Sequence, residues 1–417
     1  MSVRWILPNL GTAPAMSASA SEDTAVLDVR DLVDKGGNTS DAVLEKIKKG
    51  TALLREGKRV IVACDYGISR SNAIAAGIIA SVQGISVDAA IREVIARTDE
   101  REIKLELLAA VHAALGSGGD ALACPATTVL VTGANGFLGS ALLERLVAHD
   151  IKVIAPNRAE VDLERSRAEL DILVREQNVG QIVHLANPRV YTSNLALGTT
   201  LSMLRNVLEV CSLNGIKLIY PSGWEIYSGY RSQNIIADEH LPPLPLGPYG
   251  ETKWLCEQLV THFRTHASLK CTMLRMSPVY GANGTRPKFI YNFAQKARRD
   301  ESIITHRYRN APAGLDLLHR DDAANALALA VTNGFTGDLN IGTGAITSTE
   351  QIARWIVEWS GSKSDVSSIL IDADTARVAM DWRLAHEKIG WSPSIEPCEG
   401  LRAAMALYFD TPEKQDA

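Results

Sequence analysis

The sequence predicts an α/β protein whose larger part is a doubly wound parallel sheet, and three observations carry that expectation. Short β-rich runs alternate with amphipathic helical patterns, the arrangement that parallel sheets require. Two of those runs lead into glycine-bearing loops, Cys64–Ser71 and Gly133–Gly139, and each loop opens a helical segment. The third observation is size: 417 residues suffice for about two to three domains.

Taken in order, Ala42–Arg55 has helical periodicity and Arg59–Ala63 (RVIVA) reads as a short buried strand. Asn72–Val82 is apolar enough for a buried helix, and Val87–Ile95 and Lys104–Leu115 are amphipathic helices. Gly116–Thr127 then changes character: Gly-Ser-Gly-Gly, alanines and a proline mark a flexible connection. The expected domains are therefore 1–118 and 127–417, joined by 119–126. Beyond the linker, Thr127–Thr132 is a strand, Ser140–His149 a helix, and Lys152–Ala155 a second strand. Ile182–Leu185 and Lys217–Tyr220 continue the alternation, and Leu241–Pro248 (LPPLPLGP) reads as a rigid loop.

Composition excludes several classes. Hydrophobic residues make up 46% and charged residues 22%, with zero mean hydropathy, which is globular rather than disordered or collagen-like. Lys plus Arg number 43 against 48 Asp plus Glu, a net charge of −5 without a basic face, so nucleic acid is not an expected partner. The longest apolar stretch, near Ala73–Val82, is about half the roughly 20 residues of a membrane helix. Trp5–Leu10 contains a proline and no continuous hydrophobic core follows a basic start, so the small residues Met16–Ala20 do not make a signal peptide. The six cysteines lie far apart without metal-type spacing. They read as reduced thiols of a cytoplasmic protein with no metal and no membrane contact.

The first chemical motif is Cys64, Asp65, Tyr66, Gly67, Ile68, Ser69, Arg70, Ser71. A strand–loop–helix turn aims backbone N–H groups and a helix N-terminus into one concavity, which suits an anion. Gly67 allows close backbone approach, and the planar fork of Arg70 matches two phosphate oxygens. The same positive potential favours a thiolate at Cys64, a nucleophile to which Ser71 can donate. Cys-x5-Arg in this setting resembles the dual-specificity/tyrosine phosphatase family over residues 1–115, with Ile6–Leu10 and Gly84–Val94 also similar. The resemblance implies a leaving-group acid upstream of the cysteine, for which Asp31 and Asp34 both lie at a suitable distance. Two departures are Ala63, where the family usually has histidine, and a short Pro8–Asp31 segment. A degenerate phosphatase fold surviving as a scaffold is the competing reading.

The second motif is Gly133, Ala134, Asn135, Gly136, Phe137, Leu138, Gly139, after a strand and before a helix. Its glycines permit a tight turn, approach to a pyrophosphate, and close helix–strand packing. Downstream, Tyr249 and Lys253 share one helix face, and the ammonium would favour a phenolate able to exchange a proton with a substrate hydroxyl.

Together these residues strongly resemble the extended short-chain dehydrogenase/reductase family, the NAD-dependent epimerases and dehydratases, over residues about 126–410. Leu274–Gly281 and His319–Ala323 support it, as does His184 with Leu185 and Ala186. The resemblance implies a Rossmann-type core with a small C-terminal substrate part. It implies a nucleotide-sugar or sugar-phosphate substrate, a transient keto-sugar, and a homodimer. Cofactor contacts are implied at the glycine motif, Leu185, Ala186, Lys253 and Ser277, and the Asp162-Leu163 pair would meet adenine. A catalytic hydroxyl normal to the family falls on Gly223, leaving Ser222 one residue early, while Glu225 stands where some members carry a catalytic glutamate. The second strand ends in Ile154-Ala155-Pro156-Asn157-Arg158, with an arginine and no acid, which favours NADP over NAD. Arg286, Tyr308 and Arg309 suit the substrate side. Epimerase, dehydratase and reductase outcomes all stay open, epimerisation being the favoured one. The alternatives are a dinucleotide-binding regulatory scaffold and a phosphoprotein phosphatase with a degenerate redox site.

Overall fold

The RVIVA run forms a buried strand at the centre of a small sheet. The computed structural model describes residues 3–116, 128–165, 167–188, 193–232, 234–282, 284 and 287–411. The chain divides into two units, one of Met1–Ala126 with Arg158–Val179 and Arg205–Asn214, the other of Thr127–Asn157, Gly180–Leu204 and Gly215–Ala417. Tertiary packing thus adds two later segments to the N-terminal unit, which the linker composition did not foretell. The expected linker, 119–126, lies outside the described residues.

In the first unit, β1 (Arg4–Leu7), β2 (Leu10–Pro14), β3 (Thr24–Asp28) and β4 (Arg59–Cys64) form a sheet ordered β1-β2-β4-β3. β4 is parallel to β2 and β3, so it is enclosed along both edges, and Val60 to Cys64 are all buried. Helix α1 (Ser40–Arg55) is capped by Thr39, whose hydroxyl accepts from Ala42 N at 3.2 Å. Helix α2 (Arg70–Gln83) is buried on every side from Arg70 to Ala80, as a helix apolar all round must be. It ends at Gly84 with φ +69°, and α3 (Val87–Thr98) and α4 (Leu105–Ala114) follow.

The second unit begins with β5 (Thr128–Thr132), α5 (Phe137–Ala148) and β6 (Val153–Ile154). Then come α6 (Arg167–Glu176), which groups with the first unit, β7 (Val179–His184), α7 (Asn194–Asn214) and β8 (Lys217–Gly223). After β9 (Ile235–Ala237) follow α8 (Pro248–Ala267), β10 (Cys271–Met276), β11 (Val279–Tyr280), α9 (Lys288–Arg298), β12 (Ile303–Tyr308), β13 (Gly314–Leu315), β14 (Leu318–His319) and α10 (Arg320–Thr332). β15 (Gly337–Ile341) completes a six-stranded sheet ordered β15-β10-β8-β7-β5-β6. β10 runs parallel to β15 and β8, β8 to β7, and β5 to β6. The order reverses direction on either side of β5, which is where a doubly wound sheet opens a crevice.

The chain ends with β16 (Thr347–Ser348), α11 (Thr349–Ser360), β17 (Val366–Ile371), β18 (Val378–Met380), α12 (Arg383–Ile389) and α13 (Pro397–Asp410). Short pairs β9/β18, β11/β14, β12/β17 and β13/β16 build the C-terminal part. Ile290, Phe293, Ile352, Ile356, Leu401 and Met405 form its core. Residues 241–247 carry no regular structure, and Pro248 opens α8, since proline needs no N–H partner there. Among the described residues no helix is long and apolar enough to cross a membrane.

Candidate functional site

The glycine turn after β5 is shaped by what its glycines touch. Gly133 has φ +68°, and a Cβ there would stand 2.7 Å from Ala186 N and 2.8 Å from the Leu185 carbonyl carbon. The end of β7 therefore lies directly against the turn. Leu185 N donates to Thr132 O at 3.1 Å, and Ala186 N donates to Thr132 Oγ1 at 3.2 Å. A Cβ on Gly139 would sit 2.6 Å from Ala134 O, so only glycine lets α5 pack on its own turn. Gly136 meets nothing within 4 Å except Gly133 O at 3.1 Å, and it caps α5 without a side-chain hydrogen bond. Asn135 and Gly136 are exposed, at a helix start whose first-turn N–H groups have no partner within the helix.

Tyr249 and Lys253 sit on the first two turns of α8. A Cβ on Gly250 would lie 2.6 Å from Glu225 O, so the helix start is seated on the short turn Trp224–Tyr227 that follows β8. Lys253 Nζ donates to Pro221 O at 3.2 Å and stands 5.7 Å from the Tyr249 ring centre and 5.4 Å from that of Tyr220. The expected phenolate is not what this setting favours. Burial first, then the charges of Glu225 and Cys256, hold the Tyr249 phenol well above its ordinary pKa.

In the first unit, Cys64 closes β4 and is buried. Gly67, φ +68°, is pressed so close to β2 that a Cβ would lie 2.6 Å from Ala13 C and Pro14 N. Its N–H donates to Cys64 Sγ at 3.2 Å, and Ser71 Oγ lies 3.4 Å from the same sulfur. Arg70 is 8% exposed and its Nη1 donates to Arg30 O at 3.1 Å and Leu32 O at 3.0 Å. Its Nε stands 3.1 Å from Asp34 Oδ2, and Nη2 pairs with Asp65. Asp31 instead pairs with Lys46 at 2.7 Å. Asp34 is thus brought to the loop and Asp31 is not. Asp65 and Tyr66 are exposed, Ile68 O accepts from Asn72 Nδ2 at 2.6 Å, and Ser69 Oγ accepts from Lys104 N at 3.2 Å. Sequence reasoning missed Arg4, which donates to Gly67 O and pairs with Glu100 at 2.7 Å.

Residues 129–342, which carry the glycine turn, Tyr249 and Lys253, match the NAD dependent epimerase/dehydratase family. The chain belongs to that family. It is 26% identical to the UDP-glucose 4-epimerase of Azospirillum brasilense over 338 residues, 66% of this chain and 95% of that one. It is 24% identical to the GDP-mannose 3,5-epimerase of Arabidopsis thaliana over 320 residues, 69% of this chain and 84% of that one. The structure of the Thermus thermophilus UDP-glucose 4-epimerase complex with NAD superposes with a TM-score of 0.59 at 25% identity, covering 68% of this chain and 99% of that one.

The residues fit this family's nicotinamide cofactor: Gly133 is closed to any side chain by Leu185 and Ala186, and Asn135 and Gly136 of the same turn are exposed. Ser222, one residue short of the position where the family's catalytic hydroxyl falls, is committed to another partner in the structure. Ser222 Oγ donates to Glu257 Oε1 at 2.5 Å, and Glu257 is itself paired with Arg275 at 2.9 Å. Alternation along β8 turns Ser222 into the interior and Gly223 to the opposite face. Glu257 was missed in the sequence, although a charge four residues after Lys253 on the buried side of α8 was a signal for it.

Ser277 is buried too, 2% exposed. Asn157 and Arg158 leave the end of β6. Arg158 is exposed and lies 3.7 Å from Asp162 and 3.5 Å from Glu164, while Leu163 O accepts from Asn206 Nδ2 at 2.8 Å. Arg309 is occupied by Asp374 at 3.3 Å and Asp372 at 3.5 Å, Tyr308 ends β12, and Arg286 lies outside the described residues.

Proposed function

We propose that this chain oxidises and re-reduces a nucleotide-linked sugar through a transient keto-sugar, with epimerisation as the outcome. The observation that carries the reading is the seating of Tyr249 and Lys253 on the β8 turn, in a unit that also holds the glycine turn. The bound dinucleotide supplies the hydride acceptor and donor. Tyr249 exchanges the proton of the reacting sugar hydroxyl, and Lys253 places a positive charge beside it. Relatives named as UDP- and GDP-sugar epimerases support the substrate class. The proposal includes NADP as the preferred cofactor: no carboxylate stands between Ile154 and Arg158, and the pairs of the exposed Arg158 with Asp162 and Glu164 are of a kind that contributes little and yields readily to a phosphate. The test is product analysis after incubation with UDP-, GDP- and dTDP-hexoses. A new epimer supports the reading, whereas no conversion of any of them counts against it.

A second activity is favoured by the contacts on Cys64. The Gly67 N–H on the sulfur, and Asp34 beside Arg70, support hydrolysis of a small phosphomonoester. Cys64 Sγ would attack phosphorus, Arg70 would hold the equatorial oxygens after releasing Asp65, and Asp34 would protonate the departing oxygen. Water then cleaves the thiophosphate. Hydrolysis of p-nitrophenyl phosphate tests it.

A further inference from the structure

In the first unit, the arginine of the Cys64–Ser71 loop is already occupied. Nη1 of Arg70 donates to Arg30 O at 3.1 Å and to Leu32 O at 3.0 Å. Those two bonds fix the guanidinium plane and leave Nε with Nη2 as the edge that matches two oxygens of a phosphate. That edge faces two carboxylates. Nη2 donates to Asp65 Oδ2 at 2.5 Å, and Asp34 Oδ2 stands 3.1 Å from Nε. Nε is nevertheless buried without a hydrogen bond, in a residue that is 8% exposed. One donor of the edge is thus held by Asp65 and the other is unsatisfied.

The main chain of the loop has little room to open. A Cβ on Gly67 would lie 2.6 Å from Ala13 C and Pro14 N, and Arg4 of β1 donates to Gly67 O. Asn72 Nδ2 donates to Ile68 O at 2.6 Å, and Ser69 Oγ accepts from Lys104 N at 3.2 Å. What can give way is the Asp65 side chain, which is 51% exposed against 38% for Asp34. A half-exposed carboxylate can rotate into water, and such an ion pair is of modest strength.

We propose that Asp65 is a resident competitor of phosphate for the Nε–Nη2 edge of Arg70, so that the loop rests blocked by its own carboxylate. The inference rests on the phosphate-loop reading of Cys64–Ser71. A phosphate reaches that edge only after Asp65 has turned away. Its apparent affinity is therefore reduced by the fraction of molecules in which the edge is free. Phosphate wins the exchange because it meets both donors where Asp65 meets one, supplying the hydrogen bond that Nε lacks.

Calorimetric titration of the full chain with vanadate tests this. Asp65→Asn and Asp65→Ala should each bind vanadate roughly tenfold more tightly than the wild type, or better. Their KM for p-nitrophenyl phosphate should fall by the same factor. Asp31→Asn is the comparison. Its carboxylate pairs with Lys46 at 2.7 Å, so the vanadate affinity of that variant should change by less than about twofold. Equal affinity in the wild type and both Asp65 variants overturns the competition and leaves the phosphate loop standing. An equal gain in Asp31→Asn overturns it too, since lost negative charge alone would then explain the effect. Vanadate that binds none of these proteins counts against the phosphate-loop reading and overturns the competition with it.

Discussion

At the residue scale, Tyr249 combines a titratable hydroxyl, a lysine one helical turn on and a seat against the end of β8. Tyr249→Phe keeps the ring and deletes only the oxygen. Turnover of nucleotide sugars should therefore fall by roughly 10²–10⁴-fold, while dinucleotide affinity measured by fluorescence titration stays within experimental scatter. Near-normal turnover would remove the tyrosine from the mechanism. Arg158 is argued from chemistry in the same way: its exposed pairs with Asp162 and Glu164 leave it available. Arg158→Ala should weaken NADP binding about tenfold or more, the scale of a lost charge-assisted hydrogen bond, and leave NAD binding unchanged. Equal losses for both cofactors would contradict a contact with the 2′-phosphate.

At the scale of elements, both sites are strand–turn–helix devices whose glycines are dictated by neighbouring backbone. In the second unit, Gly133→Ala puts a methyl 2.7 Å from Ala186 N and forces an alanine to φ +68°. The strain of a left-handed residue is about 1–2 kcal/mol, and the backbone cannot withdraw without moving β7. The expected result is a lower melting temperature together with loss of dinucleotide binding; an unchanged binding isotherm would show that the turn is not the pyrophosphate cradle. In the first unit, Cys64 lies between Gly67 N–H and Ser71 Oγ. Cys64→Ser should abolish hydrolysis of p-nitrophenyl phosphate and retain vanadate binding. Residual hydrolysis at wild-type rate would assign the activity elsewhere, and loss of vanadate binding along with hydrolysis would mean that the sulfur only supports the loop.

At the scale of the molecule, the N-terminal unit is completed by two segments that come later in the chain, after the first strands of the second unit. Arg167 of α6 is 4% exposed, donates to Ile103 O at 3.0 Å and Glu102 O at 3.2 Å, and pairs with Glu209 of α7 at 2.9 Å. Arg175 reaches Asp88 at 3.0 Å and Asp171 at 2.8 Å, and Arg92 reaches Glu176 at 2.7 Å. Removing Arg167 leaves the Ile103 and Glu102 carbonyls without their donor and Glu209 with Arg205 alone, and an unsatisfied buried polar group costs about 1–3 kcal/mol. Arg167→Ala should lower stability in urea by that order, whereas Arg92→Ala, an exposed pair, should cost well under 1 kcal/mol. Equal effects would refute the distinction drawn from burial.

Local chemistry determined much of this protein in advance. Strand-to-glycine-to-helix punctuation at Gly133–Gly139 and Cys64–Ser71 is legible because each requirement is met by adjacent residues. So is the Tyr249–Lys253 spacing, which one turn of helix enforces. Side-chain direction at a strand end was not legible. Ser222 faces Glu257, a partner 35 positions away, and only the pairing of β8 with β10 and α8 decides that. Asp34 rather than Asp31 meets Arg70 because a loop's path is set by what it packs on. The Tyr249 phenolate expected from Lys253 alone is disfavoured by burial and by Glu225. Its proton affinity sums over every charge and every desolvated surface in three dimensions, and sequence spacing contains only the nearest of them.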